Sequence, residues 1–182
     1  MISESLRTRP PPRMESLPTA RLATDSVCWT LHGGLAASAV ADAADDLLSL
    51  HALAKEARER AYAPYSLFRV GAAIRMDGKV FTGANVENAS YGGTICAERS
   101  AIVAAVSAGC RRLELLAVST GAEAGSPLGQ RSPCGLCRQV VGEFAAETLL
   151  VLLDAGRDAD GRLLADIVPF ELLMPWRFRL DP

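Results

Sequence analysis

The sequence is poor in histidine and lysine, and it contains no long hydrophobic run. Histidine stands only at His32 and His51, and lysine only at Lys55 and Lys79. A histidine-rich metal site is therefore not expected. Arginine supplies nearly all the positive charge, is scattered along the chain, and leaves a formal net charge of −2. A surface that tracks a polyanion such as nucleic acid is not expected either. No stretch is long enough to span a membrane.

The five cysteines are an odd number, which does not suit a framework of disulfide bonds. Three of them, Cys96, Cys134 and Cys137, are spaced like metal ligands. This pattern favours a metal site over disulfides and predicts a reducing compartment, the cytoplasm. Cys28 is interpreted as a residue of an N-terminal extension, and Cys110 as a buried thiol at a helix end.

The composition predicts one folded domain, preceded by an extension. Of 182 residues, 49% are hydrophobic and 22% are charged, a normal globular balance. Residues 1–42 contain a run of three prolines and show no sustained period, so they are predicted to be disordered and are given no function. The apolar stretch at residues 27–41 is interrupted by polar residues and glycines, so it does not suit a signal peptide. The folded domain is placed at residues 43–182.

Hydrophobic periodicity predicts the order αββαβαβ in the folded domain. The predicted strands are residues 70–76, 80–84, 113–119, 148–153 and a short edge strand at 162–164; the helices begin at 45, 94 and about 134. Asp77-Gly78 is a strong signal for a two-residue hairpin. A hairpin followed by βαβ crossovers predicts an α/β fold, a three-layer αβα sandwich with a mixed five-stranded sheet.

Three cysteines and one glutamate fall where two predicted helices begin. Cys96 lies in the first turn of one helix, and Cys134 and Cys137 form an i, i+3 pair in the first turn of the next. Helix N-termini favour thiolates. Zinc with three protein ligands keeps its fourth position for water, which Glu98 could reach. The alternative is a plain Cys-x-x-Cys pair with an unrelated buried Cys96, but a zinc ribbon would need two such pairs.

Three thiolates on Zn²⁺ leave a net charge of about −1, which weakens the ion as a Lewis acid. A nearby guanidinium that hydrogen-bonds the sulfurs would offset this charge. Arg99 and Arg138 are the candidates, since each directly follows a predicted site residue. Arg99 is the first choice.

Four motifs in order resemble those of the short, homotetrameric cytidine deaminases, and the match runs from about residue 45 to the C-terminus. They are residues 61–68, residues 85–91, Cys96-Ala97-Glu98-Arg99, and the segment Pro133-Cys134-Gly135-Leu136-Cys137-Arg138-Gln139. A zinc site of three cysteines with a Pro-Cys-x-x-Cys signature is typical of this deaminase class.

The resemblance implies a cytidine deaminase fold that binds one zinc ion per chain. Cys96, Cys134 and Cys137 would be the ligands, and Glu98 would shuttle protons. The expected reaction is hydrolytic deamination of cytidine and 2'-deoxycytidine to uridine and 2'-deoxyuridine, with release of ammonia, as in pyrimidine salvage. The expected partner is a small nucleoside, with no nucleic acid or membrane involved, and the expected assembly is a homotetramer.

The resemblance also implies residues that bind the nucleoside. Asn85 and Glu87 match the family pair that hydrogen-bonds the ribose 3'-hydroxyl, and their i, i+2 spacing at a strand end predicts that both face one hydroxyl. Phe68 would pack beside the nucleoside. Tyr91 matches a tyrosine that approaches a neighbouring subunit's site, and Phe178 loosely matches a C-terminal phenylalanine that stacks on the base across an interface.

Three other functions share part of this pattern. A deaminase of antibiotic nucleosides, of the blasticidin type, shares the cysteine motifs but lacks the pairing of Asn85 with Glu87. A polynucleotide editor would need a basic stripe or an aromatic channel, and the chain shows neither. A zinc-stabilised structural module would have no use for Glu98 beside an open ligand position.

Overall fold

The structure of the protein, a computed structural model, describes residues 18–180. Its strands are β1 (Thr19–Ala23), β2 (Val27–His32), β3 (Val70–Met76), β4 (Lys79–Ala84), β5 (Leu113–Thr120), β6 (Ala145–Arg157) and β7 (Leu163–Pro169). Its helices are α1 (Ala37–Ala41), α2 (Ala44–Glu59), α3 (Ala97–Ser107), α4 (Leu128–Arg131), α5 (Gly135–Phe144) and α6 (Phe170–Leu173). None of these helices combines the length and apolar character needed to cross a bilayer.

All seven strands belong to one mixed sheet with the order β1-β2-β7-β6-β5-β3-β4. The turn at Asp77-Gly78 joins β3 to β4 as an antiparallel hairpin, as its sequence predicts. The strands β5 and β6 are parallel because α5 crosses between them, and β7 returns antiparallel to β6. The predicted mixed sheet is confirmed.

The sheet separates two hydrophobic cores. Side chains that alternate along β6 show the division: Leu149, Val151 and Leu153 pack with α3 and α5, whereas Leu150 and Leu152 pack on the opposite face with α1 and α2. A strand buried on both faces reads as a continuous apolar run for this reason. The predicted three-layer αβα arrangement is therefore confirmed.

The sheet has seven strands rather than the predicted five, because residues 19–32 form an antiparallel hairpin at its edge. In this hairpin β2 pairs parallel with β7, from Val27 opposite Leu163 onward. Val27, Trp29 and Leu31 alternate inward and are buried in the second core. The prediction of disorder for residues 1–42 is wrong for this part of the extension, since its apolar side chains pack in the second core. Residues 1–17 lie outside the described residues.

One glycine brings α3 close to the sheet. A Cβ atom on Gly83 of β4 would lie 2.4 Å from the backbone nitrogen of Ala101 and 2.4 Å from the carbonyl oxygen of Ala97. Only a residue without a side chain permits this approach. The N-terminal turn of α3, which carries the residues of the candidate site, is thereby held against the end of β4.

Candidate active site

The three predicted cysteine ligands meet where α3 and α5 begin. Cys96 is the N-cap residue of α3, Cys134 is the N-cap residue of α5, and Cys137 lies in the first turn of α5. All three Sγ atoms lie within 4.8 Å of one another. Among residues 18–180, no further histidine, cysteine, aspartate or glutamate joins the cluster.

The sulfur cluster has the dimensions of a zinc site. The Sγ atoms of Cys96 and Cys134 are 4.0 Å apart. Tetrahedral zinc with Zn–S bonds of about 2.3 Å would place its sulfur ligands about 3.8 Å apart. The two helix N-termini add partial positive charge beside the thiolates. The donor set therefore fits a zinc ion held by Cys96, Cys134 and Cys137.

The cysteines already interact strongly with one another. A hydrogen bond from the Cys137 thiol, supported by the Arg99 guanidinium, lowers the pKa of Cys96 to about 5. The same bond to Cys96, together with burial, raises the pKa of Cys137. The lowered pKa of Cys96 favours its thiolate, the form that binds a metal.

Glu98 lies in the first turn of α3, immediately beside the sulfur cluster. It is 4% exposed and lies two residues after Cys96, whose charge acts on its carboxyl group. Burial raises the pKa of Glu98, and the negative charge of Cys96 raises it further. A buried carboxyl group with a raised pKa can hold a proton and release it closer to neutral pH than an exposed one.

The two arginines proposed to reach the sulfurs have different positions. Nη2 of Arg99 lies 3.8 Å from Sγ of Cys96 and donates to the carbonyl oxygen of Thr94 at 2.8 Å. Arg138 instead donates to the carbonyl oxygen of Pro133 at 2.7 Å and to Oγ of Ser132 at 2.9 Å. Arg99 is therefore placed to offset the thiolate charge, and Arg138 holds the turn that carries Cys134.

Asn85 and Glu87 both hydrogen-bond to residues 65–70, at and just before the start of β3; their arrangement around one hydroxyl stays a prediction. Oδ1 of Asn85 accepts from the Val70 amide at 2.8 Å, and its Nδ2 donates to the carbonyl oxygen of Phe68 at 2.9 Å. The strand β4 ends at Ala84, but Val86 forms β-bridges to Tyr62 and Ile95, so paired backbone continues between Asn85 and Glu87.

Glu87 carries a negative charge at the base of a cleft. Its Oε2 accepts from the amides of Tyr65 at 2.9 Å and Ser66 at 3.2 Å, and its Oε1 accepts from the Ser66 hydroxyl. The hydroxyl bond is the largest of the effects that lower the pKa of Glu87. Glu87 therefore remains ionised and able to accept further hydrogen bonds.

The cleft at Glu87 adjoins the sulfur cluster. It has a volume of about 420 Å³ and is lined by Tyr65, Ser66, Glu87, Tyr91 and Thr94. Thr94 connects the two parts of the site, because its carbonyl oxygen accepts from the same Arg99 nitrogen that faces Cys96. Another cleft of about 420 Å³ lies beside Phe170 and Trp176, but no predicted catalytic or nucleoside-binding residue lines it, so volume alone does not locate the site.

The three predicted aromatic residues differ in their relation to the cleft. Tyr91 is 80% exposed at its rim, and Phe68 is partly exposed next to the segment that Asn85 holds. Phe178 is 66% exposed and does not line the cleft; its carbonyl oxygen accepts from Gln139 of α5 at 2.9 Å. Within one chain, therefore, Phe178 lies along α5 rather than over the site.

Sequence reasoning missed two groups that complete the site. The Ser66 hydroxyl supports Glu87, and the Thr94 carbonyl oxygen holds Arg99. Ser66 lies inside the motif at residues 61–68, but it is 21 residues from Glu87, and no spacing rule pairs the two residues. The Thr94 contact uses a backbone atom, which carries no sequence signal.

Comparisons with known proteins agree with this geometry. The family model described as "Cytidine and deoxycytidylate deaminase zinc-binding region" matches residues 45–153, which include the three cysteines and Glu98. The chain belongs to this family of zinc-dependent deaminases. A protein of Sporosarcina psychrophila named cytidine deaminase is 44% identical over 126 residues, or 68% of this chain and 89% of its own length. The family resemblance and its zinc cofactor are confirmed.

Solved structures of family members share the fold. The cytidine deaminase of Burkholderia pseudomallei superposes with a TM-score of 0.60 at 44% identity and covers 72% of this chain and 98% of its own. The enzyme of Mycobacterium tuberculosis superposes with a TM-score of 0.58 at 42% identity, over 74% of this chain and 98% of its own. The α/β fold predicted from the motifs is thus the fold of the deaminases.

Proposed function

We propose that the chain hydrolyses cytidine and 2'-deoxycytidine to uridine and 2'-deoxyuridine and releases ammonia. One observation carries this proposal: a buried glutamate with a raised pKa lies beside three convergent thiols, and a cleft with a fixed carboxylate adjoins them. We assign this activity to residues 43–182, whose sheet is extended by the N-terminal hairpin.

Cys96, Cys134 and Cys137 would hold the zinc ion, which supplies a Lewis acid that makes water a better nucleophile. Arg99 limits the loss of acidity that three thiolates cause, because its guanidinium faces Cys96 at 3.8 Å. The helix N-termini at Cys96 and Cys134 hold the sulfurs in place before substrate arrives.

Glu98 would move the protons of the reaction. Its carboxylate takes a proton from the attacking water and delivers it to N3 of the pyrimidine, while the water oxygen forms a bond to C4. Glu98 then takes the remaining proton from the new C4 hydroxyl and passes it to the amine as the C4–N4 bond breaks, so that water and cytidine give uridine and ammonia. Burial suits Glu98 to both transfers, because its raised pKa allows it to hold the proton between them.

Glu87 would select nucleosides by accepting a hydrogen bond from the ribose 3'-hydroxyl. Its charge is fixed by the Tyr65 and Ser66 amides. Asn85 would hold the Phe68 backbone and offer its remaining amide hydrogen to the same sugar. A charged acceptor left without a partner penalises ligands that lack the hydroxyl, so free cytosine should be a poor substrate.

The experiment that tests this proposal compares three substrates. Ultraviolet absorbance follows the loss of the 4-amino group from cytidine, 2'-deoxycytidine and free cytosine with the purified zinc protein. Turnover of both nucleosides with little turnover of cytosine supports the proposal. Equal turnover of cytosine would contradict the role of Glu87, and no turnover of any of the three would contradict the function.

We further propose that the chain acts as a homotetramer in the cytoplasm, in pyrimidine salvage. Exposed aromatic side chains at the cleft rim, Tyr91 and Tyr65, and the exposed Phe178 support assembly, because such groups are typical of surfaces that become buried in oligomers. The five cysteines are free thiols, which suits a reducing compartment. Light scattering tests the assembly: a fully active monomer would contradict shared sites.

A further inference from the structure

The segment that delivers Cys134 contains a buried arginine. Residues 121–134 connect β5 to α5, and Arg131 at the end of α4 lies three residues before Cys134. Arg131 is 7% exposed. A guanidinium so deeply buried is tolerated only where partners satisfy its charge and its hydrogen-bond donors.

Arg131 connects its own segment to the centre of the sheet. Its Nε donates to the carbonyl oxygen of Ser126 at 2.8 Å, within the same segment. Its Nη1 donates to the carbonyl oxygen of Asp154 on β6 at 3.1 Å and to Oδ2 of Asp166 on β7 at 2.8 Å. The segment before Cys134 is thereby fastened to two strands.

Asp166 is in turn held by the N-terminal hairpin. Its Oδ1 lies 2.7 Å from Nε2 of His32, the last residue of β2, and both residues are buried. Burial would raise the pKa of Asp166, but the hydrogen bonds from His32 and Arg131 lower it, so the carboxylate stays charged. A continuous polar chain runs from His32 through Asp166 to Arg131.

The backbone between Arg131 and Cys134 is short and has little conformational freedom. Only Ser132 and Pro133 lie between them, and the proline ring fixes one backbone angle. Arg138, which follows Cys137, binds both intervening residues, through Oγ of Ser132 and the carbonyl oxygen of Pro133. A displacement of Arg131 would therefore be passed to Cys134 rather than absorbed.

We propose that Arg131, held by the buried chain to Asp166 and His32, is a positioning residue that fixes Cys134 for zinc binding. His32 and Asp166 both lie outside residues 45–153, which the family model matches. The hairpin would therefore support the metal site through residues beyond the segment that the family model matches. The inference rests on the proposed function only in taking Cys134 as a zinc ligand.

The test measures how fast the zinc-loaded protein releases its metal to an excess of a chromophoric chelator. Arg131→Met removes the guanidinium at similar volume. His32→Ala removes the far end of the chain, and His32→Gln restores a donor for Asp166. Val27→Ala is the matched control, because Val27 lies on the same strand, is 2% exposed, and belongs to the second core rather than to the polar chain.

We expect Arg131→Met to release zinc about tenfold faster than the wild type, as for other residues that support a metal ligand. His32→Ala should accelerate release by a smaller factor, and His32→Gln should restore the wild-type rate. Val27→Ala should lower the urea midpoint of unfolding without changing zinc release. In the Co²⁺-substituted protein, the thiolate charge-transfer bands should shift for Arg131→Met and not for Val27→Ala.

Zinc release at the wild-type rate in folded Arg131→Met would overturn the inference. If Arg131→Met does not fold, the His32 variants provide the test. Zinc release by His32→Ala at the wild-type rate would overturn the inference. Equal acceleration of zinc release by His32→Ala and Val27→Ala would also overturn the inference. A wild-type protein that binds no zinc would overturn the proposed function, and this inference with it. A wild type that binds zinc and deaminates cytidine, with no effect of the variants, would overturn the inference alone.

Discussion

Arg99 donates from Nη2 toward the sulfur of Cys96 across 3.8 Å, and the same nitrogen is held by the Thr94 carbonyl oxygen at 2.8 Å. The Arg99 guanidinium is one of the groups that lower the pKa of Cys96. Three thiolates make zinc a poorer Lewis acid, and a fixed positive charge beside one of them counteracts this effect.

Replacing Arg99 by glutamine should lower kcat by about 10- to 100-fold while the zinc content stays near one per chain. The cause is the loss of positive charge beside Cys96 rather than the loss of a ligand. Steady-state kinetics and metal analysis measure both quantities. Arg111→Gln is a control, because Arg111 follows α3 at its other end and its guanidinium donates to the backbone carbonyls of Val106 and Cys110. Unchanged kcat in Arg99→Gln would contradict this role.

Replacing Glu87 by glutamine should lower kcat/KM for cytidine by roughly 10- to 100-fold, which corresponds to the loss of a hydrogen bond to a charged group. The weak turnover of free cytosine should change far less, because cytosine has no ribose. Glu143→Gln serves as the matched control, since Glu143 is exposed and its side chain contacts Gln139. An equal loss for cytidine and cytosine would show that Glu87 supports the fold instead.

The N-terminal hairpin should contribute to global stability. Leu31 on β2 is 1% exposed, so Leu31→Ala should lower the free energy of unfolding by about 2–5 kcal/mol. Arg21→Ala on the exposed face of β1 should change it by less than about 0.5 kcal/mol. Urea unfolding followed by circular dichroism measures both variants. Equal stability of Leu31→Ala and the wild type would mean that the hairpin does not pack as described.

Stability should fall in acid through Asp154 on β6. Burial alone would raise the pKa of Asp154, but hydrogen bonds from His51, Gly156 and Ser119 lower it to about 2 from an ordinary value of 3.8. Between these pH values the unfolded chain binds more protons than the folded chain. The contribution of Asp154 is therefore complete above about pH 4 and is lost as the pH falls toward about 2.

Urea unfolding between pH 6 and pH 2.5 tests this dependence. The midpoint of the wild type should fall more steeply below about pH 4 than that of Asp154→Asn, which has no carboxyl group to protonate. Comparing both proteins at each pH removes the effect of zinc loss in acid, which they share. Parallel curves would contradict the assignment.

The strongest local patterns predicted the β3–β4 hairpin and the meeting of the three cysteines. Asp77-Gly78 and the alternation around it predicted the β3–β4 hairpin, and the spacing of Cys134 and Cys137 predicted that both would reach one point. These features depend on turn geometry and helix periodicity, which are local. Arg99 was also placed correctly beside the cysteines, because it lies in the same helical turn.

Features that depend on distant contacts were missed. The alternation of Val27, Trp29 and Leu31 was present in the sequence, but its meaning as a strand depends on pairing with β7, more than 130 residues away. The partners of Asn85 likewise are backbone groups of Phe68 and Val70, 17 and 15 residues earlier in the chain. Neither relationship has a spacing that a single sequence reveals.

The most direct test of the central claim compares zinc content and cytidine deamination in the wild type and Glu98→Gln. We expect one zinc ion per chain in both proteins, because the three metal ligands are cysteines and Glu98 is not among them. We expect deamination by the wild type and a loss of at least about 100-fold in Glu98→Gln, since its amide does not carry the proton. A fully zinc-loaded wild type without deaminase activity, or a Glu98→Gln variant with wild-type activity, would contradict the account.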